Sequence, residues 1–227
     1  VMAQRLAAGV RSIPGVEIGM LGSQPWLGEL PAGSSFDQKL ALGFTGGLTF
    51  DVGLPRGLEL ASGLRYFGDR DRRDVNLTID FGGGSSSHIE GKTTIEFHRI
   101  GLPVRLRTGL PDVHGITIEA GLEPTYLVKA VATDDVAVTS VVTNAARGPA
   151  QPAAIIFENF MNPDGDLTDQ YQRWSLMAGG GLGWKFGLLG RGLALRARWH
   201  QGLLDEGKSK DLKVYTRTGE LALGVNW

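Results

Sequence analysis

The chain has 227 residues, 23 basic and 24 acidic side chains, a net charge of −1 and no cysteine. That balance excludes the broad basic face needed for nucleic acid, and the missing thiols exclude disulfides, thiolate metal sites and cysteine nucleophiles. The 34 glycines, about twice average usage and spread along the chain, argue against helices; no run approaches the roughly 18 apolar residues of a spanning helix, which leaves open the barrels that cross a bilayer with alternating strands.

At the N-terminus "VMAQ" sets Val1 and Ala3 at the spacing of a small-residue signal-peptidase site. Residues 1–14 read as a leader remnant and periplasmic lead-in, or as an ordinary frayed terminus, and residues 15–227 as one domain. "GVEIGMLGSQPW" alternates from Val16 to Met20 and then blurs. "KLALGFTGGLTFDVG" separates completely, with Leu40, Leu42, Phe44, Leu48, Phe50 and Val52 on one parity and polar or small residues on the other. The same two-residue rhythm runs through "GLELASGLRYFG", "GITIEAGLEPTYL", "RWSLMAGGGLGWKF", "GLALRARWHQG" and "YTRTGELALGVNW". In "TIEFHRIGLPVRLRTG" the apolar parity changes near Arg99 and Ile100, which predicts a β-bulge or the point where the strand leaves the membrane, and Pro103 falls on the inner parity. The total is about eight strands of roughly 10 to 14 residues.

The connections alternate in length. Short ones fall near residues 53–57, 109–115 and 187–192, and long ones near 27–37, 68–92, 128–172 and 203–213. Short turns at one end and long loops at the other predict an eight-stranded antiparallel up-and-down transmembrane β-barrel, with short periplasmic turns, long extracellular loops and both termini periplasmic. Outward-parity aromatics form two belts. Tyr66, Tyr126, Trp174, Trp199 and Tyr215 sit beside the long loops; Phe50, Trp184, Phe186 and Trp227 sit at the opposite rim.

The opposite parity carries Glu17, Lys39, Asp51, Glu59, Arg65, Arg105, Arg107, Glu119, Glu123, Arg173, Lys185, Arg196, Arg198, His200 and Glu220. A soluble ligand-binding barrel would place apolar side chains inside, so this interior points to the bilayer class. Eight strands enclose just enough room for their own side chains, which predicts a plug of ion pairs rather than an open pore. Inward glycines leave space for the long Arg and Lys side chains.

"GGGLGWKFG" lacks the strand and helix that frame a dinucleotide loop and reads as strand. "NPDGDLTD" offers Asn162, Asp164, Asp166 and Asp169 as oxygen ligands for calcium, but the closing acid of an EF-hand is absent, leaving an Asx-rich turn. His88, His98, His114 and His200 are widely separated, so no zinc site, cofactor or catalytic set is assigned; His98, near the long-loop rim, is the residue to test for an envelope hydrolase. "GDRDRRD" reads as a solvated loop, with phosphate contact through Arg70, Arg72 and Arg73 as the sharper alternative. "VAVTSVVTNA" and "PAAIIFENF" are too apolar for a free loop and suggest a hairpin, a lid or a docking surface.

The stretches "GFTGGLTFDVGLPRGLELASGLRYFG", "HRIGLPVRLRTG" with "ITIEAGLEPTYLV", "WSLMAGGGLGWKF", "LALRARWHQGL" and the terminal aromatic together resemble the small outer-membrane β-barrel proteins of the porin family, common in Bacteroidetes-like Gram-negative bacteria. The resemblance runs from about Val16 onward and implies an eight-stranded barrel with no shared catalytic residue or ligand. It also implies that Trp227 belongs to a C-terminal signal read by the barrel-assembly machinery. The expected function is a structural or interaction protein of the outer membrane, in contact with lipopolysaccharide and, through residues 128–172, with another envelope protein. A small pore or solute transporter, and an outer-membrane enzyme, remain the alternatives.

Overall fold

The computed structural model describes residues 12–24, 26–27, 34–82, 85–111, 113–142, 164–188, 191–208 and 214–227. Eight antiparallel strands form one closed sheet: β1 (Ser12–Ser23), β2 (Ala41–Gly53), β3 (Leu58–Gly82), β4 (in two segments, Ser85–Gly101 and Val104–Gly109), β5 (Ile116–Val142), β6 (Trp174–Leu188), β7 (Arg191–Gly202) and β8 (Arg217–Asn226). Each strand pairs with its neighbours in the chain, and β8 returns to β1 from Gly15 opposite Asn226 to Ser23 opposite Thr218. Closure leaves the barrel wall without a free edge, so the backbone hydrogen bonds are satisfied within the wall.

The strands form where side chains alternate. Ile18, Met20, Leu42, Phe44, Leu182 and Leu221 point outward and are exposed, while Glu17, Arg65, Arg196 and Glu220 between them point inward and are buried. The β2–β3 turn is a 3-10 turn at Pro55–Gly57 in which Arg56 (φ 65°) and Gly57 (φ 75°) both take the left-handed region. At the β4–β5 turn Gly115 has φ 79°, and a Cβ there would sit 2.4 Å from the Lys185 carbonyl oxygen.

Two expected loops are strand instead. β3 and β4 pair as far as Gly82 opposite Ser85, and β5 continues beside β4 to Val142 opposite Ser85. The strands thus reach 25 and 27 residues rather than 10 to 14. The signal was present in Val75, Leu77, Ile79 and Phe81, which alternate with polar residues beyond the charge run at Asp69–Asp74. Ser34–Lys39 likewise adds to β3, Trp26–Leu27 pairs with Val214–Tyr215, and Asp164–Asp166 pairs with β5. The expectations for residues 1–11, and for 143–163 with its "PAAIIFENF", lie outside the described residues.

The irregularity expected at Arg99 and Ile100 falls on the partner strand. His98 is opposite Lys129 and Arg99 opposite Leu127, so Val128 is the extra residue. On β4 itself Ile95, Phe97, Arg99, Gly101, Pro103, Arg105 and Arg107 are all buried on one parity. The apparent change of parity is a change in what fills the barrel: charge below, apolar rings above. Pro103 separates the two segments of β4, and the Leu102 N–H still reaches the Pro124 carbonyl at 3.0 Å.

Candidate functional site: the filled lumen and the outer face

The short-turn half of the lumen is one network of ion pairs. Arg107 bridges Asp51 (2.8 Å), Glu119 (2.9 Å) and Glu59 (3.4 Å), and the Lys185 ammonium donates to Glu59 at 2.6 Å. Above it, Arg196 donates to Glu17 at 2.5 Å, and Arg198 donates to both oxygens of Glu17, to Glu119 and, at 3.2 Å, to Glu220. Arg65 reaches Glu123 (3.2 Å), Thr45 (3.0 Å) and Glu220, and Arg105 pairs with Glu123. His200 Nε2 lies 3.0 Å from Glu220. Arg65, Glu17, Glu123, Arg196, Arg198 and Glu220 are all buried, where a charge is held by opposite charges and hydrogen bonds around it, although Arg65 Nε and Arg196 Nη2 make no hydrogen bond.

Glycines make room for this filling. A Cβ on Gly224 would meet Arg196 Nη1 at 2.4 Å, and one on Gly181 the Cγ of Arg198 at 2.9 Å. Toward the long-loop end the inward positions turn apolar: Leu21, Phe67 and Met177 pack together over the charged layer, with the Arg65 guanidinium 4.7 Å from the Phe67 ring centre.

A second polar cluster follows. Arg99 pairs with Glu206 (2.7 Å) and Asp69 (3.5 Å) and donates to Thr216 (3.0 Å), while Ser175 and Thr216 also donate to Glu206. Burial pushes the Asp69 carboxyl above the ordinary carboxylate range against the pull of Arg99. Two cavities of about 10 Å³ flank the cluster, each about one water in size. Ile95, Phe97, Leu127, Ala130, Ala132 and Tyr171 then form an apolar cap. The segments before β6 and after β7 are tied together beside it: the Gln172 N–H donates to the Glu206 carbonyl (2.8 Å), the Glu206 N–H to the Val214 carbonyl (2.9 Å), and Tyr171 bridges to Gly207.

The outside is the inverse. Positions 16–20 and 40–52 on the even parity, with their counterparts at 58–66, 100–108, 116–126, 174–186, 193–199 and 219–225, hold no Asp, Glu, Lys or Arg. From Leu40 to Val52 this uncharged face is about 30 Å tall at the usual strand tilt. Tyr66, Ile100, Tyr126 and Trp174 follow one another in register across β3 to β6, and the Tyr126 and Trp174 rings meet edge to face at 5.0 Å. Trp199 is exposed nearby. At the other rim Phe50, Trp184 and Trp227 are exposed, the Trp184 and Phe186 rings meet at a tilt of 41° with centres 5.1 Å apart, and the Trp227 backbone N–H donates to the Pro14 carbonyl at 3.2 Å.

The chain is a closed eight-stranded antiparallel β-barrel, charged inside and apolar outside. Neither a protein-family model nor a curated relative matches the sequence. Solved structures of similar fold include the attachment invasion locus protein Ail of Yersinia pestis, at 14% identity over 96% of this chain and 99% of that one, with a TM-score of 0.39. Neisserial surface protein A follows at 15% identity, 94% and 95% coverage and a TM-score of 0.41. The outer membrane protein OprG of Pseudomonas aeruginosa follows at 12%, 96% and 97%, with a TM-score of 0.44.

Within this barrel two of the expected lumen residues lie elsewhere. Lys39 is exposed on the outer face opposite Arg72, because the β2–β3 register shifts by one residue between that pair and Phe44 opposite Gly68. Arg173 precedes the first residue of β6 and sits at the long-loop rim, bonded to the Val128 carbonyl (3.2 Å) and to Asp169 (3.3 Å). Glu59 and Lys185 are in the network but partly open at the short-turn mouth. Tyr215 is half-buried in its small ladder with Trp26. "GDRDRRD" is strand rather than loop: Asp69 and Asp71 are buried inside, and Arg70 pairs outside with Glu96 at 2.8 Å.

His98 faces outward and shares a hydrogen bond with the Tyr66 hydroxyl, and His114 is exposed. Asp166 accepts from the Thr168 N–H (2.9 Å) and hydroxyl, an Asx turn whose hydrogen bonds hold that carboxyl below its usual range. The Arg99–Asp69–Glu206 cluster was missed. Asp69 and Arg99 continue the inward parity of Arg65 and Arg105 and were findable that way; Glu206 comes from a connection with no alternation to read.

Proposed function

We propose that this chain is an integral protein of the bacterial outer membrane, a sealed barrel acting as a structural or interaction protein through its long-loop end. The observation that carries the reading is the band of the outer surface below Tyr66, Ile100, Tyr126 and Trp174, free of Asp, Glu, Lys and Arg on every strand and bordered by aromatic residues at both rims. In water such a continuous apolar band would drive association; in a bilayer it is the surface lipid requires. The interior supports a plug. The paired acids and bases fill the section that a conducting pore would leave wet, and the Leu21–Phe67–Met177 layer lies across it. The short-turn end faces the periplasm and the extended β3–β4–β5 wall faces outward, with residues 128–172 the segment for an envelope partner. Insertion proceeds through the barrel-assembly machinery, with Trp227 in the strand it engages.

Purification in detergent is expected to give a band that changes mobility on boiling, and planar bilayers containing the protein are expected to carry no steady single-channel current. Partition into the aqueous phase without detergent would overturn the membrane reading, and stable unitary currents would overturn the plug.

A further inference from the structure

The charged plug does not fill the lumen evenly. At the short-turn mouth Asp51, Glu59 and Arg107 project from β2, β3 and β4 and bond to one another, whereas two successive rungs of the wall formed by β6, β7 and β8 are nearly bare. Lys185 lies opposite Ala194 and Ala194 opposite Gly224; one rung nearer the mouth, Gly187 lies opposite Gly192 and Gly192 opposite Asn226. All six share the inward parity of Arg196 and Glu220, yet only Lys185 and Asn226 carry a side chain longer than a methyl group. The Arg196 guanidinium leans over Gly224, but a Cβ on Gly187 would meet nothing within 4 Å, and one on Gly192 only the Asn226 Cβ, at 3.9 Å. What remains is a cavity of about 600 Å³ at the short-turn end, with Lys185, Gly187, Gly192, Ala194 and Asn226 in its wall. That is the size of a small-molecule site.

We propose that this vestibule binds a neutral mono- or disaccharide. Lys185 and Glu59 already hold each other, the ammonium donating at 2.6 Å, so an anionic ligand would meet Glu59 and a cationic one Lys185. A hydroxyl suits both partners, because it accepts a hydrogen bond and donates one from the same atom: it accepts from the Lys185 ammonium and donates to the Glu59 carboxylate. This ion pair is within a ligand's reach, each side chain being 32% exposed, whereas Arg198 and Glu17 deeper in the lumen are 2% and 1% exposed. The rest of the lining supplies the other half of a sugar's chemistry. Ile13, Phe186, Leu193 and Trp227 are its apolar members, and the electron-rich face of an aromatic ring packs against the C–H face of a pyranose while the hydroxyl edge stays on the ion pair. The site itself depends on the barrel alone; access from the periplasm rests on the membrane reading.

The test uses the full-length protein in phosphatidylcholine nanodiscs and three β-linked disaccharides of one shape: neutral cellobiose, the diamine chitobiose and the acid cellobiuronic acid. Binding is titrated by saturation-transfer difference NMR. Cellobiose is expected to bind saturably and at least about tenfold more tightly than either charged sugar. Gly187→Leu places a side chain in open space at the rim and Lys185→Met removes the ammonium donor; each should weaken cellobiose by about tenfold or more. Gly219→Leu, where a Cβ also meets nothing within 4 Å but on the outer face near Trp199, should leave binding unchanged. Absence of saturable binding, a charged sugar bound as tightly as cellobiose, or unchanged affinity in both Gly187→Leu and Lys185→Met would overturn the proposal. Mobility change on boiling is measured on the same samples. A protein that never enters the nanodisc fails the membrane reading itself, whereas a correctly inserted protein that ignores cellobiose fails only this one.

Discussion

Replacing Arg198 by Met tests whether the lumen is a dry, mutually dependent network. Arg198 is buried and holds Glu17 (2.9 Å through Nη2), Glu220 (3.2 Å) and Glu119. Methionine fills much of the same volume without charge, so the loss is that of leaving three carboxylates short of a cation. Removing one partner of a buried ion pair costs about 3 to 5 kcal/mol. With a urea slope of about 2 to 3 kcal/mol/M, the unfolding midpoint in lipid vesicles should fall by roughly 1 to 2 M. Tryptophan fluorescence and the boiling-dependent gel shift report the folded fraction together. R198M/E17Q removes one of the stranded charges and should recover at least about 1 kcal/mol relative to additivity. Arg70→Met is the control: its pair with Glu96 is as short, 2.8 Å, but exposed, and should cost no more than about 0.5 kcal/mol. If R198M costs under about 1 kcal/mol, or the double variant is strictly additive, water screens the lumen and the plug reasoning fails.

Three further outcomes follow from the geometry. Gly63→Ala puts a Cβ 2.1 Å from the Leu48 carbonyl oxygen, whereas Gly53→Ala meets nothing within 4 Å; the first should lose about 1 to 3 kcal/mol in the same urea titration and the second should stay near neutral. Phe67→Ala removes the ring that packs on Leu21 and Met177 and should cost about 3 to 5 kcal/mol, read as a lower urea midpoint. Asp69 sits above the aromatic row with its carboxyl pushed up by burial. The folded state therefore holds that proton more tightly than the unfolded chain, and stability falls as pH rises from the unfolded value of about 3.9 through the raised folded value. Asp69→Asn should flatten that slope in denaturation series run from pH 4 to 7.

The barrel was legible because one rule governs most of the wall: residue parity decides lipid or lumen, as in Leu40 to Val52. Sequence reading failed where the environment on one side changed. Leu21, Phe67 and Met177 blur the pattern because the interior becomes apolar while the outside still is, so alternation disappears without the strand ending. The same physics moved the expected irregularity from Val128 to Arg99. Lys39 was misplaced by a one-residue register shift, which reverses every inward and outward assignment beyond it, and Arg173 because it stands just before the ladder that would have aimed it. The pairs that fill the lumen join residues far apart in the chain, such as Glu17 with Arg198. Parity places such residues on one side; only the closed register decides which meet.

The two polar clusters differ in extent and in the elements that supply them. Among the described residues of the lower network, Glu17, Asp51, Glu59, Glu119, Glu123 and Glu220 stand against Arg65, Arg105, Arg107, Lys185, Arg196 and Arg198, with His200 beside Glu220. Six against six is neutral, the condition under which buried charges at bilayer depth are tolerable. The upper cluster centres on Arg99, which pairs with Asp69 and Glu206, with Asp71 buried on the same strand as Asp69. In the upper cluster Glu206 ties the connection after β7 to Arg99 of β4. A change confined to the cap alters what the long-loop end presents and leaves the ion-pair network of Glu17, Glu119 and Arg198 below it in place.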